Sequence, residues 1–180
     1  MQKKGWWKDP EMITALSAVF IGVVALIIGA YQAKVASDQR AASVWPYVEV
    51  GRYSIQGEKY GFTIINKGVG PAIIKQLEVA VDGKAMPNWS KAFQTMLGEQ
   101  RSIPSVYSST NKAVLAVQES RNMVELTDTN LIQQIQSVTD NIEISVCYCS
   151  IFDDCWLSGR GRVTVEVQSC DGQITDIFTQ

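Results

Sequence analysis

Residues 12–31, MITALSAVFIGVVALIIGAY, run for twenty positions without a charged side chain. At about 1.5 Å of rise per residue, a helix of this length spans roughly 30 Å, the thickness of a bilayer's hydrocarbon core. No second run of this kind occurs, and the chain after about Trp45 reads as a β-rich soluble domain. The expected organisation is therefore a cytoplasmic tail over 1–11, a transmembrane helix over 12–31, a helical stalk over 32–44 and a β domain over 45–180. The apolar run is longer than the roughly 7–15 residues of a cleaved signal, so an uncleaved anchor is expected, although Ala30, Ala33 and Ala36 supply small residues nearby. Lys3, Lys4 and Lys8 precede the span while Lys34 and Arg40 follow it. That bias places the N-terminus inside and the domain outside the cytoplasm. Trp6, Trp7 and Tyr31 stand where interfacial aromatics belong.

Within the span, Ala15, Ala18, Gly22, Ala25 and Gly29 recur at helical spacing, and Ala33 and Ala36 continue the stripe. Small residues on one stripe let helix backbones approach, which favours a homo-oligomer or docking on another membrane helix. Alanine and glycine are also common in spans that contact only lipid. Residues 32–42 are Ala-rich and hold neither Gly nor Pro, so the helix should continue to about Ala42 and stop before Trp45-Pro46.

The four cysteines, Cys147, Cys149, Cys155 and Cys170, all lie in the last third of the chain. An even, clustered set in an exported domain reads as two disulfides. The rival is a zinc site, but the spacing is Cys-x-Cys-x5-Cys rather than Cys-x-x-Cys, and the chain has no histidine. Buried free thiols are the third reading. A turn expected over 150–154 brings Cys149 towards Cys155, leaving Cys147 for Cys170; four cysteines allow three pairings, and the sequence does not choose among them.

Period-2 alternation marks strands over 46–51, 60–66, 72–81, 111–118, 141–150, 155–157, 162–168 and 174–178. Residues 88–98 read as a helix with Asn88 as cap and Gly98 as stop, and 129–138 as a second short helix. Many short strands with two helical insertions point to a β-sandwich. In the strongest strand Ile142, Ile144, Val146 and Tyr148 should face the core, with Cys147 and Cys149 on the other side. By the same parity Val163, Val165 and Val167 should face in and Cys170 out. The disulfides would then staple the surface.

Asn66-Lys67-Gly68-Val69-Gly70-Pro71-Ala72 joins two of these strands. Gly68 and Gly70 permit positive φ, Pro71 fixes φ and lacks a donor, and Ala72 lets the chain pack closely, so Asn66, Gly68, Gly70 and Pro71 form a structural turn. This stretch resembles the N-x-G-x-G-P-A turn of bacterial immunoglobulin-like sandwiches, including the CARDB (cell-adhesion-related) class. Residues 147–156, CYCSIFDDCW, are similar to the late hairpin of small single-pass bacterial proteins that carry such domains. The resemblance covers about 40 residues in two patches. It implies an N-terminal transmembrane α-helix plus a mainly-β immunoglobulin-like sandwich with one or two short helical insertions. It also implies a bacterial cytoplasmic (inner) membrane location, with the domain periplasmic or extracellular.

The remaining motifs carry less. Asp153 and Asp154 read as solvated turn residues rather than calcium ligands, and Ser158 to Arg162 as a solvated irregular connection. Residues 102–110 form a Ser-rich loop that would present Tyr107, and Asn88-Trp89-Ser90 matches a glycosylation acceptor that a bacterial protein would not use. Without histidine there is no Ser-His-Asp or Cys-His machinery, and a net charge of −2 with no basic patch gives no nucleic-acid footprint. No catalytic residue, cofactor or metal is expected. The sequence reads as a non-enzymatic membrane-anchored binding or accessory subunit of an envelope complex. The alternative is a self-assembling structural protein that oligomerises through the Ala/Gly seam and displays the domain. The lipid bilayer is the one partner common to both.

Overall fold

A computed structural model describes residues 10–98, 103–175 and 178–179. It divides into two compact units, 1–42 and 43–180.

The described residues of the first unit all lie in one uninterrupted helix, α1 (Pro10–Ser43). Proline suits a first helical position, because its missing N–H would have no intrahelical partner there. Along its length Ser17 donates its hydroxyl to Ile13 O at 2.8 Å and Thr14 donates to Pro10 O at 3.1 Å. Both polar side chains thus satisfy themselves on their own helix, as an apolar surrounding requires. No residue of α1 is buried. It is long and apolar enough to cross a membrane.

The second unit is mainly β and consists of two antiparallel sheets. The first holds β1 (Val48–Ile55), β2 (Lys59–Asn66), β7 (Ser120–Leu126) and β5 (Val106–Tyr107), in the order β1-β2-β7-β5. The second has the order β10-β9-β8-β3-β4, with β6 also paired to β3. Its strands are β3 (Ala72–Val81), β4 (Lys84–Ala85), β6 (Val114–Leu115), β8 (Ile142–Cys149), β9 (Cys155–Gly159) and β10 (Arg162–Val167). Facing residues of both sheets share one core: Val48, Phe62, Ile64 and Val124 from the first, Leu77, Val79, Ile144 and Val146 from the second.

Two helices close this core. α2 (Trp89–Leu97) starts at Asn88, whose side chain accepts from Lys91 N, and ends at left-handed Gly98. α3 (Thr129–Val138) is capped by Asp128. Trp89 lies between aromatic rings, 5.9 Å from Phe62, 6.0 Å from Phe93 and 5.3 Å from Phe178 by centroid. The sheets are also tied by polar groups: Val48 N donates to the Tyr148 hydroxyl at 3.2 Å, and Ser158 donates to Val48 O at 2.9 Å.

Several expectations need correction. The first strand runs to Ile55, beyond Gly51, because β2 pairs with it along its whole length. The strand expected over 111–118 is only the two residues of β6; the long strand of this region is β7, in the next segment. A bulge opposite Phe62 and Thr63 puts the consecutive Met123 and Val124 both into the core, which erases the period-2 signal of β7. The strand expected over 174–178 includes 176 and 177, which lie outside the described residues; Ile174 and Thr175 are not in a strand. The loop expected over 102–110 contains β5, with residue 102 likewise outside.

The parity of β10 is also reversed. Val163 and Val165 are exposed, at 86 % and 50 %, and Val167 packs against the cysteines. Thr164 points inward, reaching the buried Ser158 at 3.1 Å. The period-2 argument assumes that only one face of a sheet is covered. Here the outer face of the second sheet carries an apolar cluster of its own, formed by the four cysteines with Leu157 and Val167.

Candidate functional site

That second cluster lies beside an open cleft of about 410 Å3. Cys147 and Cys149 leave β8 on the side opposite Val146 and Tyr148. Cys155 begins β9 directly across from Cys149. The turn between them is held by Ser150 N to Asp154 O at 2.8 Å, with Asp153 at φ 63°. After β10 the chain crosses the outer face of the sheet as a strap. Cys170 fixes it to Cys147, and Thr175 donates from its N–H to the Glu78 carboxylate of β3 at 2.8 Å. Phe178 then enters the main core, and Thr179 N donates to Pro87 O at 2.7 Å.

The sulfurs of Cys147 and Cys170 lie 2.10 Å apart and those of Cys149 and Cys155 2.07 Å apart, so all four cysteines are paired. The bonds are not on the surface: Cys147 is fully buried and the other three nearly so. The strap makes the difference, since it covers the face that a simple two-sheet reading leaves to solvent. The two bonds touch, with Cys149 Sγ 3.8 Å from Cys170 Sγ. Around them the cleft is lined by Lys75, Gln76, Asp153, Gln168, Ser169 and Asp171. Gln76 follows a bulge in β3 that sets it opposite Cys147, and its Oε1 is buried without a hydrogen-bond partner among the described residues.

The turn of Asn66, Gly68, Gly70 and Pro71 lies elsewhere, where the chain enters the domain. Asn66 is fully buried and works as a junction. Its Oδ1 accepts from Gly68 N at 3.0 Å and Tyr47 N at 3.2 Å. Its Nδ2 donates to Gly70 O at 2.8 Å, Ala116 O at 3.2 Å and Leu115 O at 3.3 Å. Lys67 and Val69 bond to Tyr47 O and Trp45 O through their N–H groups. Neither Gly68 nor Gly70 takes the positive φ expected of it; both are needed for space instead, since a Cβ on Gly70 would stand 1.8 Å from Val44 O and one on Gly68 2.4 Å from Tyr47 N.

The segment from Ser158 to Arg162 is not the solvated connection expected of it. Arg160 donates to Thr139 O and Ile142 O, both at 2.9 Å, and stands 5.9 Å from the centre of the Phe62 ring. Arg162 pairs with Glu143. Asp153 and Asp154 are exposed turn residues, Asp153 lying 4.0 Å from Lys75. Tyr107 is exposed and borders a hollow with Asn88, Trp89 and Ser105. On α1, Gly22 and Gly29 have no neighbour within 4 Å of the place a Cβ would take, and Ala15, Ala18 and Ala25 are exposed with them.

Electrostatics mark structural rather than reactive groups. Glu125 accepts from Lys59 at 2.9 Å and Tyr53 at 2.7 Å, and these bonds hold its carboxyl below the usual carboxylate range. Burial, then the bond to Glu125, pushes the Tyr53 phenol well above its ordinary value. The N–H of Ala116, then Arg121, lowers Glu119. Burial also raises Tyr148. Each shift deepens the charge state already present at neutral pH, which is the reverse of what a general acid or base requires.

Sequence reasoning missed Lys75, Gln76, Asp171, Arg160 and the Tyr53–Glu125–Lys59 row. The first three come together only because the strap crosses β3. The row follows from cross-strand register, since Tyr53, Gly61 and Glu125 stand side by side. No protein-family model, curated protein or solved structure matches the chain.

Proposed function

We propose that this chain is a non-enzymatic, single-pass protein of a bacterial inner membrane that displays an immunoglobulin-like binding domain on the periplasmic or outer side. The observation that carries the reading is the pairing of two unlike units. One is a 34-residue helix with no buried residue; the other is a compact domain whose four cysteines are all disulfide-bonded. An uncovered apolar helix of this length belongs in lipid. Paired cysteines belong in an oxidising compartment. Both conditions hold at once for a domain held outside the cytoplasm by its N-terminus, the orientation that Lys3, Lys4 and Lys8 favour. The N-x-G-x-G-P-A turn and the two-sheet architecture support an immunoglobulin-like arrangement.

The domain acts by binding, as an accessory subunit of an envelope complex. Truncation tests this against self-assembly. A chain lacking residues 1–44 should keep its β structure and still capture the partners that the full chain captures from solubilised envelope. If capture depends wholly on residues 1–44, and the full chain alone forms a defined oligomer that Gly22→Leu and Gly29→Leu disperse, the protein is a self-assembling structural one instead.

A further inference from the structure

We propose that the hollow at the start of α2 binds a carboxylate, carried by a small organic acid or by the C-terminal end of a peptide. The hollow has a volume of about 280 Å3 and is lined by Asn88, Trp89, Ser90, Ser105, Tyr107 and Thr179. It lies wholly within the β domain. The site therefore goes beyond the reading above and does not depend on which side of the membrane the domain occupies.

A buried donor without an acceptor carries the argument. Trp89 is only 2 % exposed, yet its indole Nε1 has no hydrogen-bond partner among the described residues. A buried tryptophan N–H usually finds an acceptor, because leaving it without one forfeits its hydration for nothing in return. The rings packed on the indole, those of Phe62, Phe93 and Phe178, offer it no oxygen. Trp89 also borders the hollow, and that is the side from which an acceptor can arrive.

The helix start adds donors of its own, since the first amides of a helix have no intrahelical acceptor. Asn88 Oδ1 takes the N–H of Lys91 at 2.9 Å, which leaves those of Trp89 and Ser90 for a ligand. At this end the helix dipole favours negative charge. The hydroxyls of Ser90, Ser105 and Tyr107 stand around the same hollow, each able to donate. A group that meets so many donors must be an acceptor, and an ionised carboxylate is acceptor-only. Among the described residues no lysine or arginine lines the hollow, so a single negative charge suits it better than the doubled charge of a phosphate. The hollow is small for a ligand pocket, with room for the carboxylate and little more than one side group. The exposed Tyr107 ring gives that side group an apolar wall.

The test is NMR of the indole N–H protons of the full chain in non-ionic detergent, with the Trp89 signal assigned through its contacts to the Phe62 and Phe93 rings. The probes are benzoate, the peptide acetyl-Ala-Ala-Phe with a free C-terminus, the same peptide amidated, and inorganic phosphate. The expected result is a saturable downfield movement of the Trp89 proton with benzoate and with the free-acid peptide. The amidated peptide should bind at least about tenfold more weakly than the acid, and phosphate more weakly than either carboxylate. Ser105→Ala and Tyr107→Phe change side chains that are not buried; each should weaken carboxylate binding at least about threefold and leave the urea midpoint in place. Tighter binding of the peptide acid assigns the carboxylate to a chain end, and tighter binding of benzoate assigns it to a free acid. A Trp89 proton that no probe moves would set the N–H against the Phe178 ring instead and overturn the proposal. Equal binding of acid and amide, phosphate binding tighter than the carboxylates, or unchanged binding by both hydroxyl variants would overturn it as well.

Discussion

Replacing Asn66 by alanine removes the junction that fastens the chain's entry into the β domain. The side chain is fully buried and meets five backbone groups at 2.8–3.3 Å. An amide group has two hydrogens, so the three carbonyl contacts amount to about two full donor bonds, beside the two that Oδ1 accepts. The contacts to Tyr47 N and Ala116 O are partly buried, and water can replace them there. Those to Gly70 O, Leu115 O and Gly68 N are buried, and their partners would be left without a substitute. At about 1–3 kcal/mol for each stranded buried group, the loss should be about 4 kcal/mol, a large share of the roughly 5–15 kcal/mol that hold a domain together. The assay is urea unfolding of the detergent-solubilised full chain at pH 7, followed by near-ultraviolet circular dichroism. Asn66→Asp keeps the acceptor but sets a carboxylate against three carbonyl oxygens, so at pH 7 it should cost at least as much. Its folded-state pKa would be raised, so its deficit should shrink as the pH falls through that value, when a protonated carboxyl can donate one bond. A loss below about 1 kcal/mol for Asn66→Ala, or an Asn66→Asp variant as stable as the parent, would refute the junction.

Gly70→Ala should disrupt the same turn, because its Cβ would stand 1.8 Å from Val44 O, whereas Gly57→Ala meets no atom within 4 Å and should cost only the strain of its positive φ; paired urea curves check the ordering. The disulfides close loops with sequence separations of 23 and 6, so loop entropy gives about 3 kcal/mol to Cys147–Cys170 and about 2 to Cys149–Cys155. Double serine variants measured by thermal and urea unfolding should follow that order. Glu125 is held below its ordinary pKa by Lys59 and Tyr53, so its contribution is present above the unfolded-state value and disappears as pH falls through the folded one. Glu125→Gln should therefore be less stable than the parent at pH 7, with the gap closing below about pH 4 in a urea series.

The sequence was most informative where one residue type has one local use. Asn88 and Gly98 bound α2 because a side-chain acceptor and a left-handed cap are needed there, and Ala72–Val81 is bounded by Pro71 and the Asp82-Gly83 turn. The alternation of Ile142, Ile144, Val146 and Tyr148 gives the inner face of β8 directly. It failed where register rather than composition decides. The bulge in β7 puts Met123 and Val124 on one side, and no single-chain pattern shows that. The exposed Val163 and Val165 belong to a sheet whose outer face is covered further along by a strap that only the folded chain reveals. The cysteine cleft was half legible: the cysteines were visible, but Lys75 and Gln76 come from a strand some seventy residues earlier.

The most direct test of the central account is protease digestion of intact spheroplasts carrying the full chain, with free thiols counted by alkylation under non-reducing conditions. The account predicts that the β domain is digested from outside and that none of its four cysteines is alkylated. A domain protected until the membrane is broken, with four reactive thiols, would contradict it and place the domain in the cytoplasm.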